Sequence, residues 1–280
     1  MFILLISLLI DITIGELPAF IHPVVYMGYI GKLFEKSKHA RFLLGMLALL
    51  LEILFWLFLC KTLLSISKCF EIYFLTSTFS IKSLYSHVKR CYEDDVEKLR
   101  KNVSCIVSRD VSKLSKDKLY SAALESLSEN ISDGIVGPLF YYLIFGIYGA
   151  LIYRVVNTCD ALFGYRNERY EWFGKFPARF DDVLNFIPAR ITALLIALFN
   201  FKGAFSYLKK YRRLKINSMY PMSAFAGVLN LGFEKVGVYK LEGKPVEKED
   251  ILKGLSLYTK VVFVWIAIVL FTVVLKTKIF

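Results

Sequence analysis

The sequence predicts an all-α, polytopic integral membrane protein with about four spans, a re-entrant helical hairpin and cytoplasmic helical segments. Three observations predict it. The 280-residue chain is 56% hydrophobic yet 21% charged, too apolar for an ordinary soluble domain and too charged for a bare bundle of spans. Several apolar runs approach the roughly 20 residues that a helix needs to cross the hydrocarbon core. The polar residues between them carry helical rather than alternating periodicity.

The elements follow in chain order. Residues 1–20 form a first span only if Asp11 and Glu16 sit near one end. The opening MFILLISLLID has no basic n-region and no small-residue cleavage site, so a retained helix is expected rather than a cleaved signal. Residues 42–59 form a second span, interrupted only by Glu52. Residues 63–81 return the chain after a turn near Lys61, and residues 258–276 form the last span. Segments 82–138, 157–190 and 202–257 then fall on one face. They hold most of the positive charge, so that face is expected to be cytoplasmic. Ile191 to Phe201 is short and leads into the basic KKYRRLK, which suits an interfacial helix. Gly227 to Lys244 reads as loop and short helix. No repeat or linker marks a second domain, so residues 1–280 read as a single membrane-embedded domain.

The run Leu139 to Val156 decides the architecture. As a straight helix of about 27 Å it would place the acids before it and the arginines after it on opposite faces. Gly146 and Gly149 lie at its midpoint, where a reversal is cheap. A hairpin over 139–156 is therefore expected, returning Asn157 and Asp160 beside Glu129 and Asp133.

The net charge of +12 fits cytoplasmic loop bias, and equally attraction to anionic lipid or a polyanionic substrate. No nucleic-acid-binding motif accompanies it, so nucleic acid is set aside as a partner. The five cysteines are odd in number and scattered, with no CxxC pair or Cys/His cluster, and read as reduced thiols. No P-loop, GxGxxG, HExxH or GxSxG motif is present.

Candidate chemistry concentrates between Glu125 and Arg190. In ESLSENISDG, Glu125 and Glu129 stand one helical turn apart, and Ser132-Asp133-Gly134 is expected to end that helix in a turn. Glu125, Glu129 and Asp181 are candidate oxygen ligands for Mg²⁺, an ion that takes few protein carboxylates when it also holds phosphates. Asp181 and Asp182, with Asn185, form a second acidic set. Glu129, Asp133, Asp160 and Asp182 are the candidate catalytic acids and bases. Arg166, Arg179 and Arg190 are candidate grips for phosphate or carboxylate, with His22, Asn157 and Tyr165 as further substrate contacts.

These segments together resemble the adenosylcobinamide-phosphate synthase family of cobalamin biosynthesis, written CobD or CbiB. The resemblance begins at LLIDITIGELPAFIHPVVYMGYIGKLFE and continues through nearly every polar position from Ile106 to Leu195. NSMYPMSAFAGVL is similar to the family's Asn-Ala-Gly-Trp-Pro stretch, with Ser218, Met219 and Tyr220 in place of Ala, Gly and Trp. Val236 to Tyr239 resembles its Gly-Gly…Tyr. The resemblance implies an ATP-dependent ligase that joins adenosylcobyric acid to aminopropanol phosphate or a related amino alcohol. It implies ATP and Mg²⁺ as cofactors and a multi-pass location in the cell membrane, with the active site facing the cytoplasm. A homo-oligomer and docking to other corrinoid enzymes stay open.

Two other readings compete. A membrane alcohol phosphotransferase would need D-x₂-D-G-x₂-A-R, but Asn130 stands at the first Asp, and Gly137-Pro138 stand where Ala-Arg should be. A transporter or scaffold would place charges within true spans, often in two pseudo-symmetric halves. This chain gathers them beside its apolar runs instead.

Overall fold

The computed structural model describes residues 1–35, 41–165 and 167–279. Their regular secondary structure is almost entirely helical. In chain order the helices are α1 (Phe2–Thr13), α2 (Pro23–Tyr26), α3 (Tyr29–Phe34), α4 (Arg41–Ile66), α5 (Cys69–Thr78), α6 (Lys82–Arg90) and α7 (Val96–Ser104). There follow α8 (Lys116–Ile131), a π-helical turn (Ser132–Val136), α9 (Gly137–Phe163), α10 (Lys175–Leu184), α11 (Phe186–Ala197), α12 (Phe201–Tyr211), α13 (Met219–Leu229) and α14 (Lys248–Ile279). Between α13 and α14 lies a short antiparallel hairpin of β1 (Glu234–Lys235) and β2 (Tyr239–Lys240).

Three helical stretches among the described residues are long and apolar enough to cross a membrane: Arg41–Ile66, Lys116–Phe163 and Lys248–Lys276. Two correspond to the expected spans over 42–59 and 258–276. The other two expected spans do not form as such. α1 has 12 residues, about 18 Å, well short of the roughly 30 Å core. It ends where Gly15 adopts φ +98°. Residues 63–81 are divided between the end of α4 and the 10-residue α5. The Ser67 hydroxyl accepts from the Cys69 amide at the break, a local bond that competes with helix continuation.

The chain divides into two compact units where the sequence reading had one domain. The first comprises Met1–Ser80, Gly137–Asn185 and Val269–Phe280. Within it α9 packs against α4, α5 and α10, and α1 packs on α5. Glu52, the acid that interrupts the second apolar run, is buried in α4. It accepts from the Gly28 and Ile30 amides at 2.9 and 3.1 Å and from the Trp56 indole at 3.0 Å. The carboxylate thus satisfies the start of α3, where amides have no helical partner.

The expected reversal at the glycines is present in this unit. Gly146 has φ +63° and ψ −154°, a conformation essentially confined to glycine. Beyond it the second arm of α9 runs back along the first, and the Tyr141 and Tyr153 rings stack with centroids 5.3 Å apart. On a straight helix these residues would lie about 18 Å apart. Gly149 makes the close approach possible, because a Cβ there would lie 2.6 Å from the Tyr141 carbonyl oxygen.

The second unit comprises Ile81–Val136 and Phe186–Ile268. Here α8 is surrounded by α6, α7, α13 and β1, and α13 also packs on α11 and α12. Its apolar side, with Leu119, Ala122, Ala123 and Leu127, is buried as its periodicity requires. Ser132-Asp133-Gly134 does not end the helix. The chain continues through the π-turn, which packs against α11, so tertiary contact overrides glycine's weak helix propensity. Residues 227–244 likewise differ from the expected loop and short helix: they hold the end of α13, capped by Asn230 at φ +54°, and the β-hairpin.

Candidate functional site

In the second unit, α8 supplies two acids to a small polar cavity of about 140 Å³. α8 itself carries five charged residues and lies outside the apolar stretch that follows it. Glu125, buried on this helix, receives Arg109 Nη2 at 3.2 Å, the Ser121 hydroxyl at 2.7 Å and the Tyr239 hydroxyl at 2.6 Å. A buried carboxylate requires such partners. Burial, and then the Glu125 charge, push the Tyr239 phenol well above its ordinary pKa, so it remains a donor.

Glu129 lies one turn further along the same cavity. Burial raises its carboxyl pKa, and the neighbouring Glu125 charge adds to the shift. Lys215, Lys235 and a hydrogen bond from Ser218 oppose it. Burial lowers the Lys235 ammonium, and the like charges of Lys215 and Arg109 lower it further. The cavity therefore joins a desolvated carboxyl group to three cations, the arrangement in which perturbed proton affinities mark functional sites.

The local folding explains this convergence. Lys235 and Tyr239 are directly paired in the β-hairpin, which puts their side chains on one face. The Glu234 amide donates to Ser121 Oγ at 3.2 Å and fixes the hairpin on α8. The Ser126 hydroxyl donates to the Ile106 carbonyl at 2.9 Å, which holds the loop bearing Arg109. Lys215 lies over the Tyr239 ring, 5.2 Å from its centroid. None of Arg109, Lys215, Lys235 and Tyr239 stood among the expected site residues. Their signal was proximity to the family-like segments, since Arg109 lies in IVSRD and Lys215 stands two residues before Asn217.

Arg190 is also in this unit. Its guanidinium lies between the Phe186 and Tyr220 rings, 3.5 and 4.1 Å from their centroids, and donates to Asn217 Oδ1 at 3.3 Å. Tyr220, the residue standing at the family's Trp, thus supplies the aromatic face that the cation needs. Asp133 is half-buried in the π-turn.

The first unit builds a second polar centre. Asp181 accepts from Asn157 Nδ2 at 3.2 Å and from Asn185 Nδ2 at 2.9 Å. Tyr153 donates to Asn185 Oδ1 at 2.6 Å. The sequence reading grouped Asp181 with Asn185 but set Asn157 beside Glu129 and Asp133, and did not foresee its bond to Asp181. Asp182 pairs with Arg179 at 3.6 Å at the rim of a cavity of about 290 Å³, which Gly164, Tyr165, Tyr170 and Lys175 also line. Asp160 lies against Gly164, where a Cβ would come within 2.1 Å of its Oδ1. The loop that carries Tyr165 is held by buried Glu35, which receives Arg169 at 2.9 Å and the Tyr170 hydroxyl at 2.7 Å. Arg166, one of the expected grips, lies outside the described residues.

His22 has a local role. It caps α2, with Nδ1 accepting from the Val24 amide at 3.2 Å. Burial lowers its pKa, with Glu16 opposing and Arg154 assisting. Among the described residues no group of three or more His, Cys, Asp or Glu side chains converges as a metal site would need. Glu125 has its oxygens engaged by Arg109, Ser121 and Tyr239, and Asp181 belongs to the other unit. The candidate magnesium ligands thus divide between the units, Glu125 and Glu129 in the second and Asp181 in the first.

Comparison with known proteins gives these centres their context. The family model described as CobD/Cbib protein matches residues 4–274. A probable cobalamin biosynthesis protein CobD of Pyrococcus abyssi is 46% identical over 271 residues, covering 94% of this chain and 93% of its own. That of Archaeoglobus fulgidus is 41% identical over 294 residues, covering 99% and 97%. A cobalamin biosynthesis protein CobD of Dehalococcoides mccartyi is 38% identical, covering 95% of each chain. No solved structure matches the chain. With its helical membrane architecture and a match along nearly its whole length, the chain belongs to the CobD/CbiB family of cobalamin biosynthesis.

Proposed function

We propose that the protein is an adenosylcobinamide-phosphate synthase that forms an amide bond at the expense of ATP. The observation that carries the reading is Glu129, a desolvated carboxyl group facing a cavity with Arg109, Lys215 and Lys235. A free carboxylate is a poor electrophile. In this reading an oxygen of the adenosylcobyric acid carboxylate takes the terminal phosphoryl group of ATP, giving an acyl phosphate and ADP. The amine of aminopropanol phosphate then attacks the acyl carbon, and phosphate leaves with its bonding electron pair. Glu129 takes the proton that the amine loses, a role suited to a carboxyl group with raised pKa.

Cationic side chains aimed at phosphoryl oxygens supply the electrostatic stabilisation such a transfer needs. Arg179, paired with Asp182 on an open rim, is assigned to the nucleotide or the corrinoid carboxylate, and Arg166 is given the same assignment from its sequence alone. Magnesium would be held by the phosphates of the nucleotide together with a candidate carboxylate such as Glu129 or Asp181, and would offset charge on the phosphoryl oxygens. The site is assigned to the cytoplasmic face, where ATP is available and where loops rich in Lys and Arg reside.

The test is ATP-dependent amide formation by the purified protein in detergent, with Glu129→Gln, Asp133→Asn, Asp182→Asn and Arg179→Ala. Glu129→Gln should lower kcat by about 100-fold or more. Wild-type protein that makes no amide from these three substrates would remove the assignment, and near-normal turnover in all four variants would remove the site.

A further inference from the structure

The cavity beside α8 holds more positive charge than its own acids neutralise. Arg109 is matched by Glu125, but its Nε–H is buried and meets no acceptor. Lys215 and Lys235 line the same cavity, and among the described residues no carboxylate lies within ion-pairing distance of either. Two lysines brought together under partial burial repel one another, and a fold gains nothing from that pairing unless an anion joins them. Ordinary loop bias explains lysines on an open surface, not two of them converging with an arginine on one desolvated carboxyl group.

We infer that this cavity is the seat of the phosphate monoester of the amino-alcohol substrate, with Lys215 and Lys235 on the phosphate, Arg109 adding its charge beside them, and Glu129 toward the amine. The inference rests on the amide-forming reading above. Charge supports it: Arg109, Lys215 and Lys235 outnumber the acids Glu125 and Glu129, so the cavity keeps a positive excess that an anion completes. Size supports it too. About 140 Å³ admits a phosphate with a two- or three-carbon chain but not a nucleoside. In such a molecule the nitrogen lies only a few bonds from the phosphorus. A ligand held by the lysines therefore presents its amine within the same cavity that Glu129 lines. Polyphosphate shares this chemistry, so nucleotide is the alternative occupant that the experiment must separate.

The experiment is calorimetric binding to the full-length protein in detergent micelles, without turnover. The probes are O-phosphoethanolamine and ATP, and the variants are Lys215→Gln/Lys235→Gln, Lys215→Gln alone and Glu129→Gln. The double variant should weaken phosphoethanolamine by about ten-fold or more, as expected for the loss of charge-assisted contacts, and leave ATP within about two-fold. Glu129→Gln, which keeps an oxygen toward the ammonium, should weaken phosphoethanolamine less than the double variant does. Unchanged phosphoethanolamine affinity in the double variant overturns the assignment, and so does a loss confined to ATP or shared equally with it. If the double variant does not fold, judged by its thermal transition, Lys215→Gln gives the same readout with a smaller expected loss. Wild-type protein that binds phosphoethanolamine through these lysines yet forms no amide would sustain the pocket and defeat the reaction, so the two ideas fail separately.

Discussion

Lys235 stands directly opposite Tyr239 in a two-residue antiparallel pairing, so a cation and the hydroxyl that donates to Glu125 occupy one face of a small hairpin. Four residues of chain thus deliver two functional groups to helix α8 at fixed spacing. The hairpin has almost no core of its own, and its position depends on the bonds it makes to Ser121 and Glu125.

Tyr239→Phe removes one of those bonds. Loss of a hydrogen bond to a buried charge should cost about 1.5–3 kcal/mol. The expected result is a lower thermal unfolding midpoint together with reduced amide synthesis, because the hairpin that carries Lys235 loosens. Activity and midpoint both at wild-type values would show that the contact positions nothing.

Glu125 and Arg109 form a buried pair, with side chains only 6% and 16% exposed. Glu125→Ala strands the guanidinium and should destabilise by about 3–5 kcal/mol. Replacing both partners with apolar residues, Glu125→Leu with Arg109→Met, should recover most of that loss in a denaturation assay while activity stays low. Equal stability of the single and double variants would argue against an isolated pair.

Gly146→Ala tests the reversal in α9. A side chain at φ +63° and ψ −154° is strained by about 1–3 kcal/mol. Expression and thermal stability in detergent should both fall, and Gly149→Leu should do worse because its side chain meets the Tyr141 carbonyl. A Gly146→Ala protein as stable as wild type would mean that the arms do not fold back there.

Asn185 is the hinge of the other polar centre, donating to Asp181 while accepting from Tyr153. Asn185→Leu keeps the volume but removes both bonds, at about 1–3 kcal/mol each for a buried polar group left unmatched. If the centre serves substrate, kcat/KM should fall further than the stability loss explains, as measured at a temperature where the variant is fully folded.

Glu129 provides a pH dependence of known sign. Its carboxyl pKa is raised in the folded protein above an unfolded value of about 4.3. Its contribution to stability is therefore complete below that value and is lost as pH rises through the folded pKa. Glu129→Gln should flatten this decline in pH-dependent unfolding. In wild type, amide synthesis should rise with pH over the same window as the base ionises. A wild-type and Gln profile running parallel would show that another group governs the slope.

Hydropathy and periodicity alone set the all-α membrane class, the apolar spans over 42–59 and 258–276, the apolar side of α8 and the reversal at Gly146. Each of these depends on residues near in sequence, whose spacing is preserved whatever the rest of the chain does. The same reasoning singled out Glu129 and grouped Asp181 with Asn185, but it did not link Asn157 to them. The extent of α1, the break at Ser67, the π-turn through Asp133-Gly134 and the β-hairpin were not legible, because each is settled by competition between weak local preferences and distant packing. Arg109, Lys215 and Lys235 come from three separate segments and look in sequence like ordinary basic loop residues. Only folding places them around one carboxyl group, since charge acts over distances in space and the order of residues along the chain does not record them.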